Sequence, residues 1–329
     1  MFPAYWTYEP TPSDIRRRLA AKKLCLTYSE RRFKKPVHLA ALHYHLVRPL
    51  LQAYGVNSPF CHYLAIGAYA AWDQRRIGMF KGRQWTFGYF APVPNVLAVK
   101  PTDGVTMCWA GEMTLRKRAA DLLAALAAVR ASGRSATCFL AGDGPERPRL
   151  EEQMRTLGLE RTVVFLGRVG YEELQRLLRR VHIVPFTSDY TEGWGMVINE
   201  AMAAGCCVIA SLGAGATRVL LDTEDRGLTY EPGDRAALAA HLIHCIDNPT
   251  QVAAKGHDAW RWLLEHWSPA VAADRLVGLV EQLLEGKAAV FTEGVGSPAL
   301  PWRELRTRSL RALCHELTLP AKERYEVEW

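Results

Sequence analysis

Two carboxylates with seven residues between them, Glu192 and Glu200, stand on either side of a glycine pair in the stretch Thr187-Ser188-Asp189-Tyr190-Thr191-Glu192-Gly193-Trp194-Gly195-Met196-Val197-Ile198-Asn199-Glu200-Ala201-Met202-Ala203-Ala204-Gly205. The run before it, Val181 to Phe186, is apolar and reads as a buried strand. The run after the glycines is rich in small residues and reads as a helix ended by Gly205. A strand, a glycine loop and a helix start in that order suit an anion such as phosphate, because glycine lets backbone approach a ligand and the first helical N–H groups have no partner. Extra negative charge beside a phosphate is repulsive, so the two acids need other work. Each can accept two hydrogen bonds from a vicinal diol. One acid on a ribose and one on a sugar ring would together define a nucleotide-sugar site. A capped helix with Glu200 solvated is the plainer alternative that these residues leave open.

The elements that must position this stretch follow from the rest of the chain. With 329 residues, 49% of them hydrophobic, it can bury one large or two ordinary cores, which excludes a disordered protein. The net charge of +7 points to an anionic partner without choosing among nucleic acid, a membrane surface and a phosphorylated small molecule. Eight cysteines lie scattered with no CxxC pair. Cys206 and Cys207 are adjacent in an expected strand and cannot both face one ligand, so no metal site is expected and a reducing compartment fits. There is no apolar run of membrane-spanning length, and the start Met1-Phe2-Pro3-Ala4-Tyr5-Trp6 lacks the regions of a signal peptide, so a cytoplasmic location is expected.

In chain order, the basic run Arg16-Arg17-Arg18, Lys22-Lys23, Arg31-Arg32 and Lys34-Lys35 is interrupted by Leu19, Leu24, Leu26 and Phe33 at roughly helical spacing. This predicts a basic helix that either lies on anionic lipid, peripheral to the inner face of a membrane, or shows a solvated face of a packed helix. His43 and His45 are two apart and face different sides of a helix, so with His38 they form no metal site. Residues 78–104, rich in Gly, Pro and aromatics, read as a linker with some extended structure.

From Val105 short apolar runs at 105–110, 136–141, 163–166, 181–186, 206–210 and 227–230 alternate with helical periods at 117–130, 146–157, 172–180 and 194–204. The fold class is therefore α/β, a doubly wound parallel sheet covered on both faces. Ligands of such sheets sit at the carboxyl ends of the strands. The loops there are Gly111 to Lys117, Gly142 to Pro145, Gly167 to Val169 and 187–195. Three further helices are expected over 235–246, 250–266 and 269–284, the last capped by Ser268 with proline in its first turn. A nicotinamide enzyme is disfavoured: Gly213-Ala214-Gly215-Ala216-Thr217-Arg218 lacks the third glycine and follows the fifth strand, not the first. No ATP-binding P-loop motif occurs. A nucleic-acid-binding reading lacks an aromatic platform to accompany the basic run.

Glu192 to Gly205 resembles the E-x7-E signature of retaining glycosyltransferases of family 4, which have the two-lobed GT-B fold. Gly111-Glu112-Met113-Thr114-Leu115-Arg116-Lys117-Arg118 is similar to the family's G-R-L-x-x-x-K loop. Gly142-Asp143-Gly144-Pro145, Val164-Phe165-Leu166-Gly167 and Tyr230-Glu231-Pro232-Gly233-Asp234 follow in the family's order. The resemblance spans roughly residues 105–285. It implies a partial N-terminal, acceptor-side lobe and linker over 1–95, a Rossmann-like nucleotide-sugar-binding lobe over 96–267, and a helix returning toward the N-terminal lobe plus a tail over 268–329.

The resemblance also implies sugar transfer from a nucleotide-diphosphate donor to a glycan or lipid-linked glycan acceptor, with retention of configuration and with no metal or other cofactor. Polysaccharide biosynthesis is the implied setting. Glu192 and Lys117 are implied as catalytic, Lys117 neutralising the departing diphosphate and Glu192 contacting the donor sugar. Glu200 would take the ribose diol. Backbone N–H groups around Gly195, Met196 and Val197 would hold the same diphosphate, Gly193 and Trp194 would also bind substrate, and Gly167, Arg168 and Val169 would line the base pocket. Two departures stand out. Glu112 replaces the family's arginine, a charge reversal costly if both groups are desolvated, with Arg116 or Arg118 as candidate substitutes. The second is that only about 100 residues precede the donor lobe; 40–56 resemble the last helix and turn of the missing lobe and 64–69 its final strand, and the first strands are absent. Three alternatives stay open: a start further upstream, a partner that supplies the acceptor side, or a non-catalytic subunit that binds donor without transferring.

Overall fold

The computed structural model describes residues 2–3, 11–31, 55–76, 78–102, 104–287 and 291–300. The histidines at 38, 43 and 45, the basic residues Arg32, Lys34 and Lys35, and most of the helix expected over 40–56 lie outside these residues. The first unit runs β1 (Phe2–Pro3), α1 (Thr11–Ala20), β2 (Cys25–Glu30), β3 (Cys61–Ile66), α2 (Ala68–Arg76) and β4 (Gln84–Phe87). Its four strands form one parallel sheet in the order β1-β2-β3-β4. The expected basic helix stops at Ala20, Lys22 takes a left-handed turn, and Leu26 belongs to a strand, so the leucine spacing that looked helical joins two elements. The expected strand at 64–69 lies at 61–66 with three parallel companions, and the expected linker contains β4.

The second unit is the doubly wound sheet, and its elements fall close to the expected runs. They are β5 (Thr106–Ala110), α3 (Ala119–Ala131), β6 (Thr137–Ala141), α4 (Arg147–Thr156), β7 (Val163–Gly167), α5 (Tyr171–Leu178), β8 (Ile183–Phe186), α6 (Met196–Ala203), β9 (Cys207–Ser211), α7 (Thr217–Leu220), β10 (Leu228–Tyr230), α8 (Arg235–Asp247), α9 (Pro249–His266) and α10 (Pro269–Leu284). The six parallel strands lie in the order β10-β9-β8-β5-β6-β7. The four central strands, β5, β6, β8 and β9, supply both cores because successive side chains point to opposite faces. Cys108, Val184 and Val208 pack with Ile198, Met202 and Leu263 on one side; Met107, Ile183 and Cys207 pack with Leu122, Leu126 and Leu242 on the other. Cys206 and Cys207 thus enter different cores, as their adjacency required.

The two sheets meet with their carboxyl ends toward each other. The Ala68 N–H donates to the Gly215 carbonyl at 3.1 Å, and Gly67 lies so close to Gly215 that neither tolerates a Cβ. Gly215, met in the sequence as a partial dinucleotide motif, serves this contact instead. Helix α10 starts at Ser268, whose hydroxyl accepts from the Val271 N–H, and its Leu279 packs on Leu26, Leu64 and Trp85 of the first sheet. A Cβ on Gly88 would overlap the ring of Trp194, which is 1% exposed and stacked on Trp267 at 5.7 Å. Gly88→Ala is therefore expected to destabilise the protein by about 1–3 kcal/mol through overpacking. Thermal unfolding followed by tryptophan fluorescence measures this, and an unchanged midpoint would contradict the packing.

Candidate functional site

In this strand order the chain winds outward in both directions from the β5–β8 boundary, β5 leading to β6 and β7 and β8 to β9 and β10. Loops leaving such neighbours diverge and open a crevice at the carboxyl end of the sheet. The loop after β5 carries Arg116 and Lys117; the loop after β8 carries Glu192 and runs into α6. The sequence places the two halves of one site 76 residues apart, and the switch point joins them.

They meet at one oxygen. Lys117 Nζ lies 2.6 Å and Arg116 Nη1 2.9 Å from Glu192 Oε2. Burial pushes the Glu192 carboxyl up, but the charge of Lys117, then that of Arg116, outweighs it and holds the group below the ordinary carboxylate range. Lys117 is also 5.5 Å from the centre of the Phe186 ring. Two cations that share one buried carboxylate can also take an anion through charge-assisted hydrogen bonds.

The backbone around them is fixed from below. Residues 115–117 form a single 3-10 turn, and the Lys117 carbonyl accepts from Thr187 Oγ1 at 2.5 Å while that oxygen accepts from Trp109 Nε1 at 2.9 Å. The Asp189 N–H donates to the Arg116 carbonyl at 2.9 Å. Thr187 was not singled out by type or spacing, since its role is set by strand adjacency alone. Arg118 is corrected as a phosphate candidate. It sits at φ 51 with its Nε 2.6 Å from Asp121, which is buried and also takes Arg235 at 2.7 Å, so it anchors the start of α3. Glu112 is exposed, so its charge is screened by water and escapes the penalty of a buried reversal.

Helix α6 presents its amino end to the same crevice. Gly195 precedes it at φ 97, a left-handed conformation, and a Cβ there would press on Phe186 and Ala214. The first turn, Met196 and Val197, is half-buried, and its N–H groups have no acceptor among the described residues. One turn further on, Glu200 is 9% exposed, with no hydrogen-bond partner for its carboxylate among the described residues, and burial raises its pKa. It is not the solvated residue of a plain capped helix. Gly193 lines the loop by its backbone. Trp194 contributes only backbone, because its indole is buried and donates to Asn199 Oδ1 at 2.7 Å.

The loops after β6 and β7 continue the rim away from Lys117. The Met113 N–H donates to the Asp143 carbonyl at 2.9 Å and the Gly142 N–H to the Gly167 carbonyl at 2.7 Å. Gly167, at φ 71, and the half-buried Val169 therefore end the same row of loops, with Arg168 exposed beside them. Among the described residues no group of three or more His, Cys, Asp and Glu side chains is placed to hold a metal ion.

Residues 98–259 match the family model of group 1 glycosyl transferases. A glycogen synthase of Mycobacterium tuberculosis is 29% identical over 163 residues, 49% of this chain and 39% of that protein. A GDP-mannose-dependent phosphatidylinositol monomannoside mannosyltransferase of Corynebacterium glutamicum is 29% identical over 174 residues, 50% of this chain and 44% of its own. The chain thus spans about two-fifths of the length of these curated relatives. Among solved structures, Anabaena Alr3699/HepE in complex with UDP aligns with a TM-score of 0.64 at 20% identity, over 82% of this chain and 76% of that one. A Rickettsia africae glycosyltransferase aligns at 0.68 and 15% identity, over 85% and 76%. The fold is GT-B. In GT-B terms the six-stranded sheet is the C-terminal lobe, and the four-stranded sheet lies on the N-terminal side. The Lys117–Glu192 pair and the start of α6 both belong to the C-terminal lobe, in the crevice that faces the other sheet.

Proposed function

We propose that this chain is a retaining, family 4 glycosyltransferase that moves a sugar from a nucleotide-diphosphate donor to a glycan or lipid-linked acceptor without a metal or other cofactor. The observation that carries the reading is the cluster of Lys117, Arg116 and Glu192 beside the unpartnered N–H groups of α6. A diphosphate bridging Lys117 and those N–H groups gains charge-assisted hydrogen bonds, and the interaction strengthens as the leaving group takes up charge. Glu192, relieved of Lys117, turns its oxygens to the hydroxyls of the transferred sugar. Glu200 exchanges a partnerless burial for the two hydroxyls of a ribose, with Gly167 to Val169 at the base.

The names of the relatives support the acceptor class, one acting on a phosphatidylinositol mannoside and another being a glycogen synthase. The exposed cations of α1, Arg16, Arg17 and Arg18, with Lys22 and Lys23 just after, support peripheral contact with an anionic membrane. No helix among the described residues is long and apolar enough to cross one.

The test is incubation of the chain with UDP-, GDP- and ADP-sugars, reading release of nucleoside diphosphate. Release supports a transferase. Binding without release would point instead to a non-catalytic nucleotide-sugar-binding subunit that needs a partner's acceptor side. A second expectation separates the charges. Glu192→Gln frees both cations, so free nucleoside diphosphate should bind about fivefold more tightly at low salt, the order of one partly exposed ion pair, while sugar release falls. Weaker nucleoside diphosphate binding by this variant would contradict the assignment of Lys117 to the phosphates.

A further inference from the structure

The loop that carries Glu192 is gripped from the opposite side as well, by the end of β2 in the N-terminal sheet. Arg31 follows that strand, is 5% exposed, and donates from Nη1 to the Tyr190 carbonyl at 2.7 Å. Its guanidinium lies 5.0 Å from the centre of the Tyr69 ring, and Tyr69 meets the Tyr190 ring edge-on at 5.6 Å. The Tyr69 hydroxyl donates to the Leu212 carbonyl, and the Tyr190 hydroxyl to Glu231 at 2.7 Å. Glu30, one residue earlier, has its carboxylate where a Cβ on Gly193 would lie. Tyr190, which Arg31 holds, and Gly193, which Glu30 packs against, bracket Glu192 in the chain.

A buried guanidinium is costly unless its donors and its face are used. Here Nη1 is used on the carbonyl of Tyr190 in the loop, and the guanidinium face lies over the Tyr69 ring. The diphosphate end of the site, Lys117 and the first turn of α6, is built within the C-terminal lobe. The two ends of the donor site therefore depend on different supports.

We infer that Arg31 is a positioning residue for donor-sugar recognition: it fixes the Tyr190 carbonyl and thereby the placement of Glu192, so that the sugar end of the site is complete only when the two sheets are packed together. This rests on the donor-site reading proposed above.

The experiment compares the unaltered chain with Arg31→Ala and Arg31→Lys by calorimetric titration with UDP and UDP-glucose, GDP and GDP-mannose, and ADP and ADP-glucose. For whichever base binds, Arg31→Ala should weaken the nucleotide sugar about tenfold, the order of one charge-assisted hydrogen bond. It should leave the nucleoside diphosphate within about twofold, since the Tyr190 carbonyl and the Tyr69 ring that Arg31 contacts lie away from Lys117 and the first turn of α6. Arg31→Lys keeps the charge and one donor but loses the planar stack, and should weaken the nucleotide sugar by about threefold. Should Arg31→Ala not fold, the lysine variant decides. Unchanged nucleotide-sugar affinity in the variants, or equal losses for sugar nucleotide and nucleoside diphosphate, overturns the inference while leaving the donor-site reading in place. Failure of the unaltered chain to bind any of the six ligands overturns both.

Discussion

Replacing Lys117 with alanine should lower donor turnover by about two to three orders of magnitude, the usual cost of losing one preorganised group that stabilises developing charge. The side chain is nearly buried and only 13% exposed, so water cannot take its place. Its backbone is held independently by Thr187 and Trp109, which the substitution leaves alone. The loop should therefore keep its shape, and the loss is electrostatic. Arg116, whose side chain is 41% exposed, should matter less, because its contact with Glu192 is screened. Steady-state release of nucleoside diphosphate by the two variants checks the order. A Lys117→Ala variant within a few-fold of the unaltered chain, or an Arg116→Ala variant worse than it, would contradict the assignment.

Glu200→Gln should separate binding from stability in opposite directions. Burial raises the Glu200 pKa, so its folded value lies above the unfolded one. The stability linked to this proton is full below the unfolded pKa and is lost as pH rises through the folded pKa. At neutral pH the ionised, partnerless carboxylate is thus a deficit. Removing its charge should stabilise the protein by about 1 kcal/mol, or roughly 2–4 °C for a unit of this size. On the proposed reading the same change removes the charged acceptor for the ribose diol, and it should weaken the nucleotide sugar by about 1.5–3 kcal/mol, one to two orders of magnitude. The pH dependence follows with the same sign. Donor affinity of the unaltered chain should fall as pH drops through the raised Glu200 pKa, whereas Glu192, held ionised by Lys117 and Arg116, titrates lower and does not set that limb. Glu200→Gln should flatten the profile. Thermal melts and titrations at several pH values measure both halves; a destabilised variant with unchanged affinity would contradict them.

The C-terminal lobe was legible because its central strands are buried on both faces and read as apolar runs, with glycines in the loops at their carboxyl ends. The site loops were legible for the same reason, and the order of the strands then brought Lys117 to Glu192 without further information. The N-terminal sheet was harder. Cys25–Glu30 is a strand buried over its first half and flanked by Lys22, Lys23 and Arg31, and Leu19, Leu24 and Leu26 imitate a helical stripe across the boundary between α1 and β2. Gln84–Phe87 is four residues long among glycines and aromatics, too short for a period to show. Side-chain partners chosen by tertiary proximity were not legible at all. Arg118 turns to Asp121 and Arg235, Thr187 to Lys117, and Arg31 to a carbonyl 159 residues away. None of these pairings leaves a trace in local spacing. Glu112 looked damaging by type, and its exposure, which only the folded loop reveals, removes most of the cost.

The central claim is that the crevice between β5 and β8 binds a nucleotide sugar through Lys117 and Glu200. Calorimetric titration of the full chain, and of Lys117→Ala and Glu200→Ala, with UDP-, GDP- and ADP-sugars tests it most directly. The account predicts saturable binding of at least one of these donors by the unaltered chain and weaker binding by each variant. Binding that is equally strong in both variants, or no binding of any donor by the unaltered chain, would contradict it.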